Sequence, residues 1–222
     1  MPRGRPPKKA SKVLSKPIIG TLEAPEIVRN GKKLESLIAF PEEIKKALTR
    51  RGKLATVKPV SEKVGAVLID WDNLAIPAEA DGIPPLELNY KLLGAILKQS
   101  LKFVEKAHFL VFATEGTLRA NPLLEVDVEE LGIELVIVPP EKDAADRKIK
   151  EKAEELAAGK NVSFFIFASG DAYFYETVCD LLRSRKKVKM IAYRWDNISQ
   201  KYNSCFKYVG FEGITYLVDR IN

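Results

Sequence analysis

Three stretches of the sequence place acidic residues beside apolar runs, a combination that supports metal-dependent chemistry. Asp70, Asp72 and Asn73 follow the apolar segment VGAVLI, and Asp171 follows VSFFIFA in the stretch ASGDAYF. Asp146 lies between these two stretches, in KDAADRKI. Carboxylate oxygens with no nearby His or Cys favour Mg²⁺ or Mn²⁺ over zinc. Such an ion can orient a phosphodiester, activate a water molecule and stabilise the leaving oxygen.

The segments around these acids alternate between strand-like and helix-like patterns from Val64 onward, which predicts an α/β domain with a parallel sheet. The strand candidates are nearly continuous in apolar character, as expected for strands covered on both faces. They are 64–69, 108–113, 133–138, 162–168 and 188–193. Helical spacing of apolar residues predicts helices at 86–104, 122–131, 143–158 and 171–185. A further helix near 198–207 and a terminal strand near 214–218 complete the prediction.

Two of the acids are predicted at the carboxyl ends of strands. Asp70 ends the first strand and Asp171 follows the fourth, with Asp72 and Asn73 expected in the loop after the first strand. In an open parallel sheet, ligands collect at the carboxyl ends of the strands, where the strand order reverses. Both acids should therefore reach the same edge of the sheet.

Asp146 is placed by the periodicity of its own predicted helix. It shares a stripe with Ile149 and Ala153, so its side chain should face the sheet at the amino end of that helix. We therefore expect Asp70, Asp146 and Asp171 to converge. Carboxylates about 4 Å apart repel by about 4 kcal/mol per pair at an effective dielectric constant near 20, so a cation should offset them.

Each acid also has a structural explanation when it is taken singly. Asp70 could accept a hydrogen bond in a turn, Ser169 or Asp171 could cap a helix, and Asp146 could complement a helix dipole. The only histidine, His108, lies at a strand start and gives little support to histidine-based acid–base cleavage.

The three stretches LIDWDNL, KDAADRKI and FFIFASGDAYF resemble the acidic motifs of the NYN domain. This family is a branch of the PIN-like nucleases that includes the bacterial LabA-type proteins, and the resemblance spans about residues 64–210. It implies a Rossmann-like, three-layer α/β sandwich with a central, mainly parallel sheet. It also implies a metal-dependent nuclease that acts mostly on RNA. By motif position, the implied catalytic and metal-binding residues are Asp70, Asp146 and Asp171, with Asp72 as a further ligand and Asn73 and Ser169 as substrate contacts.

Two departures from the family pattern leave a second interpretation open. The family usually carries another Asp where this chain has Tyr173, and another acid farther along the third helix, where Lys150 and Lys152 flank Glu151. Fewer ligands imply weaker metal binding. The alternative is therefore a catalytically inactive NYN-like protein that binds nucleic acid.

A haloacid dehalogenase-like phosphatase is a third interpretation, since that family begins with a strand ending in Asp, any residue, Asp. Asn73 and Leu74 replace the small hydroxyl or glycine that usually follows, and Asp146 has no role there. The residues this reading would use are Asp70 as nucleophile, Asp72 as acid–base, Thr114 at the second strand end, Lys142 on the phosphate, and Asp171 with Glu176 on Mg²⁺.

The excess positive charge of the chain is concentrated in its N-terminal part. Residues 1–63 hold 16 Lys and Arg against 6 Asp and Glu, which gives a net charge of +10. The rest of the chain holds 20 Lys and Arg against 24 Asp and Glu, which gives a net charge of −4. We predict a basic flexible arm at 1–16, a linker with a short helix (FPEEIKKALTRRG) at 17–63 and the NYN-like domain at 64–222. The arm resembles an AT-hook, whose extended core enters the minor groove of A·T-rich DNA. Its implied DNA contacts are Arg3, Gly4, Arg5, Pro6, Lys8 and Lys9; a basic tail that only aids solubility is the alternative.

Two further features bear on the cellular environment. Cys179 and Cys205 are far apart and lack metal-ligand spacing, which predicts neither a disulfide framework nor a zinc site. The sequence has no apolar run of the roughly 18 residues that a membrane span needs. We therefore expect a cytoplasmic protein without a membrane partner.

Overall fold

The computed structural model describes residues 64–104, 106–159, 161–205, 207–218 and 221. The predicted basic arm and the segment 17–63 with its short helix lie outside these residues. The described part contains a six-stranded sheet in which every pairing is parallel. Its strands are β1 (Val64–Asp70), β2 (Lys106–Thr114), β3 (Glu134–Val138), β4 (Val162–Ala168), β5 (Lys187–Ala192) and β6 (Val209–Gly213).

Helices connect the strands, as parallel pairing requires. The α-helices are α1 (Trp71–Ala80), α2 (Pro85–Ser100), α3 (Glu115–Ala120), α4 (Leu123–Leu131), α5 (Ala144–Ala158), α6 (Tyr175–Arg183) and α7 (Thr215–Val218). Short 3₁₀ helices lie at Ala172–Phe174, Trp195–Asn197 and Gln200–Cys205. None of the helices in the described part of the chain has the length and apolar character that a bilayer crossing needs.

Both faces of the sheet are buried, because successive side chains of a strand point to opposite sides. Along β1, Val67 and Ile69 join a core with α1, α2, α4 and α7, whereas Ala66 and Leu68 join a second core with α5 and α6. All four side chains are buried. The predicted three-layer α/β sandwich with a parallel sheet is therefore confirmed.

The strand order places β1 at the centre of the sheet. The order is β3-β2-β1-β4-β5-β6, so the chain first builds outward on one side of β1 and then on the other. The reversal lies between β1 and β4, where Ile69 is paired with Ala168. Asp70 and Ser169 directly follow these two residues, so the stretches that carry Asp70 and Asp171 lie at the switch point, the usual ligand-binding edge of such a sheet.

The structure corrects the prediction near both ends of the domain. Asp72 and Asn73 lie in the first turn of α1 and not in a loop, since Asp70 caps this helix directly after the strand. The last strand is β6 (Val209–Gly213), and the predicted strand near 214–218 is the one-turn helix α7. Branched residues in that segment mimic a strand, but in the structure Leu217 and Val218 are buried from a helical turn.

Candidate acidic site at the switch point

Asp70 is the most deeply buried acid of the site. Only 7% of it is exposed, and its carboxylate accepts long hydrogen bonds of 3.4 Å from the backbone N–H of Asn73 and the hydroxyl of Ser169. Burial, together with the smaller effects of the nearby charges of Asp146 and Asp72, raises the pKa of Asp70 to about 7. Near neutral pH, a proton or a cation is therefore needed to stabilise this group.

Asp146 lies in the first turn of α5 and is partly buried. Ile149 and Ala153 are buried on the same helix, as the predicted stripe requires. Burial raises the pKa of Asp146 to about 6, and the charges of Asp171 and Asp143 act in the same direction. Asp146 is thus electrostatically coupled to Asp171, and it also acts on Asp70, so the three predicted acids lie near one another.

Asp171 is held by hydrogen bonds at three of its polar groups. Its carboxylate accepts the backbone N–H of Tyr173 at 2.7 Å, and its own N–H donates to the Ser169 hydroxyl oxygen at 3.2 Å. The hydroxyl of the buried Tyr202 donates to the carbonyl oxygen of Asp171 at 2.7 Å. The position of this acid is therefore fixed by the loop after β4 and by the 3₁₀ helix before β6.

Ser169 and Asn73, the predicted substrate contacts, form hydrogen bonds within the protein. Ser169 is 1% exposed, and its hydroxyl links the Asp70 carboxylate to the backbone of Asp171. The side-chain oxygen of Asn73 accepts the N–H of Gly170 at 3.0 Å. Both side chains join the end of β1 to the end of β4.

Asp72 is turned toward α3, the helix that follows the neighbouring strand β2. Its two carboxylate oxygens lie 2.8 and 3.1 Å from the hydroxyl of Thr117, which in turn lies 2.8 Å from the hydroxyl of Thr114. Sequence reasoning did not identify Thr117. The available signal was its position three residues after Thr114, the spacing of a helix cap at a strand end.

Gly170 allows the loop after β5 to pack against the loop that carries Asp171. A Cβ atom at this position would lie 2.2 Å from the carbonyl oxygen of Asn197, so only glycine fits. The N–H of Ser199 donates to the carbonyl oxygen of Gly170 at 2.9 Å. The sequence marked Gly170 as part of a motif but gave no indication of this partner loop.

The acids of the site have no cationic partner among the described residues. Within that part of the chain, no Lys or Arg forms an ion pair with Asp70, Asp146 or Asp171. No three His, Cys, Asp or Glu side chains of the described ranges are grouped closely enough to hold a metal ion. The acids are therefore coupled through their charges without being gathered into a closed ligand cluster.

Comparison with known proteins identifies the family of the domain that carries the acidic site. The family model of the NYN domain matches residues 65–210, more than half of the chain, and this range includes all three acidic stretches. None of the curated proteins matches the chain. A solved structure of a protein of unknown function from Vibrio parahaemolyticus is similar in fold, with a TM-score of 0.51 and 18% sequence identity over 70% of this chain and 96% of that one. The match favours the NYN interpretation over the phosphatase, and the chain belongs to the NYN domain family, a family of nucleases.

Proposed function

We propose that this protein is a metal-dependent nuclease that cleaves phosphodiester bonds in RNA, with Asp70, Asp146 and Asp171 as its catalytic and metal-binding residues. The observation that carries the proposal is the coupling of three acids at the switch point, two of them with raised pKa values and none with a cationic partner among the described residues. A purely structural role for such acids would require a Lys or Arg partner, and the described residues supply none.

The chemistry of the donor set fits Mg²⁺ or Mn²⁺. The acids offer only oxygen atoms, which these hard cations prefer, and the family supplies the expectation of a divalent ion. When bound, such an ion would activate a water molecule and stabilise the leaving oxygen. Asp70, Asp146 and Asp171 would hold it, with Asp72 as a further ligand once its bond to Thr117 is exchanged.

The other residues of the site keep the acids in position. Ser169 and Asn73 hold the ends of β1 and β4 together through their hydrogen bonds. Tyr202 and the backbone of Tyr173 restrain Asp171 in the same way. The described acids are near one another but are not close enough to hold an ion together. Small movements of their side chains would therefore accompany ion binding.

A second candidate is a nucleic-acid-binding protein that does not cleave. Two observations favour it: Tyr173 occupies the position of a further acid, and the described acids do not form a preassembled metal cluster. It predicts that the protein binds nucleic acid and does not cleave it, either with or without Mn²⁺.

Incubation of the purified protein with single-stranded RNA, with and without Mn²⁺, separates the two candidates. We expect cleavage with Mn²⁺ that is lost in Asp70→Asn and Asp171→Asn and kept in Glu134→Gln, which changes an exposed acid on β3. Cleavage that persists in both site variants would point to a contaminant. Binding without cleavage in the wild-type protein would support the non-catalytic candidate. Single-stranded DNA of the same sequence tests the preference for RNA.

The N-terminal arm adds a separate proposal, that residues 1–16 bind A·T-rich DNA through Arg3 and Arg5. A single short basic segment should bind weakly and lose affinity steeply as salt rises. Titration of A·T-rich and G·C-rich duplexes with the full chain and with Arg3→Ala/Arg5→Ala tests it. Equal binding of both duplexes would contradict minor-groove recognition.

A further inference from the structure

Two partly exposed aromatic side chains lie at the same edge of the sheet as the acidic site. Tyr173, which is 39% exposed, follows β4, and Trp195, which is 53% exposed, follows the adjacent strand β5. Large aromatic residues dominate burial in cores and interfaces, so their exposure beside a functional site is informative. The other tryptophan, Trp71, is almost completely buried.

Tyr173 is tied directly to the acidic site. Its backbone N–H donates to the Asp171 carboxylate at 2.7 Å. Its ring packs edge-on against the buried ring of Phe174, with centroids 5.8 Å apart, and Phe174 in turn contacts Phe167 in the core at 5.5 Å. The ring thus has a firm support on the protein side while more than a third of the residue stays open to solvent.

Trp195 lies in a loop that packs closely against its neighbours. Its backbone nitrogen lies so close to Gly213 that a Cβ there would be 2.9 Å away, and Gly170 packs still more closely against Asn197. The preceding residue, Arg194, forms an ion pair with Asp81 at the end of α1. The Trp195 ring meets Phe211 edge-on at 6.3 Å. Trp195 is therefore exposed from a closely packed loop.

A nucleic acid can be recognised beside the site through its bases as well as through its phosphates. The ion that the acids would hold attracts phosphates, whereas the faces of unpaired bases are neutral and stack on aromatic rings. Rings that are already fixed lose little conformational entropy on binding. Bases in a duplex have no free faces, so only a single strand can use such rings.

We propose that Tyr173 and Trp195 form a stacking surface for unpaired bases, which makes this site selective for single-stranded substrates. The inference rests on the proposed nuclease function and deepens it by naming the form of the nucleic acid. Tyr173 then contributes a base contact where a further acid would otherwise stand.

Binding to a cleavage-deficient protein tests the proposal without relying on activity. Asp146→Asn is the suitable background, because it leaves the bond between Asp171 and Tyr173 in place. We expect single-stranded oligoadenylate in Mg²⁺ to quench the emission of Trp195, and the same strand paired with oligouridylate to quench it much less. Trp195→Phe in this background should remove the quenching, since Trp71 is buried.

Affinities measured with labelled oligoadenylate identify the contributing rings. We expect Tyr173→Ala and Trp195→Ala each to weaken binding about tenfold, and Tyr173→Phe and Trp195→Phe to stay close to the parent because they keep a stacking face. Tyr208→Ala is the matched control, since Tyr208 is 73% exposed but precedes β6 at the opposite edge of the sheet. Unchanged binding in both alanine variants, or equal affinity for the duplex, would overturn the proposal.

The outcome is distinguishable from a failure of the proposed function. Mn²⁺-dependent cleavage by the wild-type protein with no preference for single strands would leave the nuclease proposal intact and remove the stacking surface. Base-dependent quenching without cleavage would support the stacking surface and the non-catalytic candidate.

Discussion

The side-chain oxygen of Asn73 lies 3.0 Å from the backbone nitrogen of Gly170 and accepts its N–H. The two residues are 97 positions apart in sequence, and the contact joins the first turn of α1 to the loop after β4. Asp70 and Asp171 flank this contact along the chain. The relative position of the two acids therefore depends on a hydrogen bond that involves neither of their side chains.

Replacing Asn73 with Ala should loosen the switch point. The variant leaves the Gly170 N–H without its partner, and we expect the free energy of unfolding to fall by about 1–2 kcal/mol. Urea denaturation measures this loss. Asn203→Ala changes an exposed asparagine of the 3₁₀ helix before β6 and should stay within about 0.5 kcal/mol of wild type. Equal stability of the two variants would exclude the proposed role of the Asn73 contact.

Replacing Gly170 with Ala should disturb the same region by crowding. The added Cβ would meet the Asn197 carbonyl oxygen at 2.2 Å, so the loops must separate, and we expect a loss of about 1–3 kcal/mol in stability. Cleavage should fall as well, because Asp171 is the next residue.

Gly116→Ala is the matched control for this crowding. Its nearest new contact is an ordinary 3.5 Å to the Thr114 hydroxyl, and Ala favours the helix α3 that contains it. Denaturation curves that are equally affected by both substitutions would rule out crowding against Asn197 as the cause.

The three-layer fold was predictable because its signals are local to each element. Strands such as β4 (Val162–Ala168) are nearly continuous in apolar residues, and α5 shows a clear buried stripe. Helix α1 was missed since Pro77 interrupts its pattern and Asp70 caps it without any intervening turn residues. The terminal strand was predicted wrongly for a different reason, because the tertiary contacts of a four-residue segment decide its conformation.

The acids of the site were predictable by type and by strand end, but their partners were not. Strand ends in a parallel sheet meet at one edge, which was enough to bring Asp70 and Asp171 together. The bonds from Thr117 to Asp72 and from Tyr202 to Asp171 join distant segments, and no spacing in the sequence encodes them. The packing of Asn197 on Gly170 is likewise a result of the assembled fold.

Replacing Asp70 with Asn should stabilise the metal-free protein at high pH. Burial raises the pKa of Asp70 from 3.8 to about 7, so the folded state binds a proton more tightly than the unfolded state. Wild-type stability should therefore fall as pH rises from about 4 to about 7, by at most about 4 kcal/mol from this group, and remain low above that range. Asp70→Asn removes this dependence, so its advantage over wild type should grow between pH 5 and pH 8 in the presence of a chelator.

Urea denaturation at the two pH values measures the effect, with Glu134→Gln as the control on an exposed acid. The control should follow the wild-type curve at both pH values. If Asp70→Asn and wild type run parallel, charge on Asp70 is not a source of instability in the folded protein.

Mg²⁺ or Mn²⁺ should stabilise the wild-type protein at pH 8 by offsetting the repulsion among the acids. At tenfold excess over the dissociation constant, mass action gives about 1.4 kcal/mol, which corresponds to a rise in Tm of about 3–6 °C for a domain of this size. Asp146→Asn should lose most of this rise, because Asp146 acts on Asp70 and is coupled to Asp171. Thermal unfolding with increasing Mn²⁺ checks it, and an equal rise in Asp146→Asn would indicate binding elsewhere.

The charge of Asp72 should strengthen ion binding even while its carboxylate is bonded to Thr117. Asp72→Asn keeps an acceptor for the Thr117 hydroxyl but removes a negative charge that acts on Asp70, so the Mn²⁺ concentration for half-maximal stabilisation should rise about threefold to tenfold. Thr117→Val removes the bond and keeps the charge, and it should lower stability by about 1 kcal/mol without weakening Mn²⁺ binding. The opposite order, with Thr117→Val the more harmful to Mn²⁺ binding, would mean that Asp72 contributes through its hydrogen bond and not through its charge.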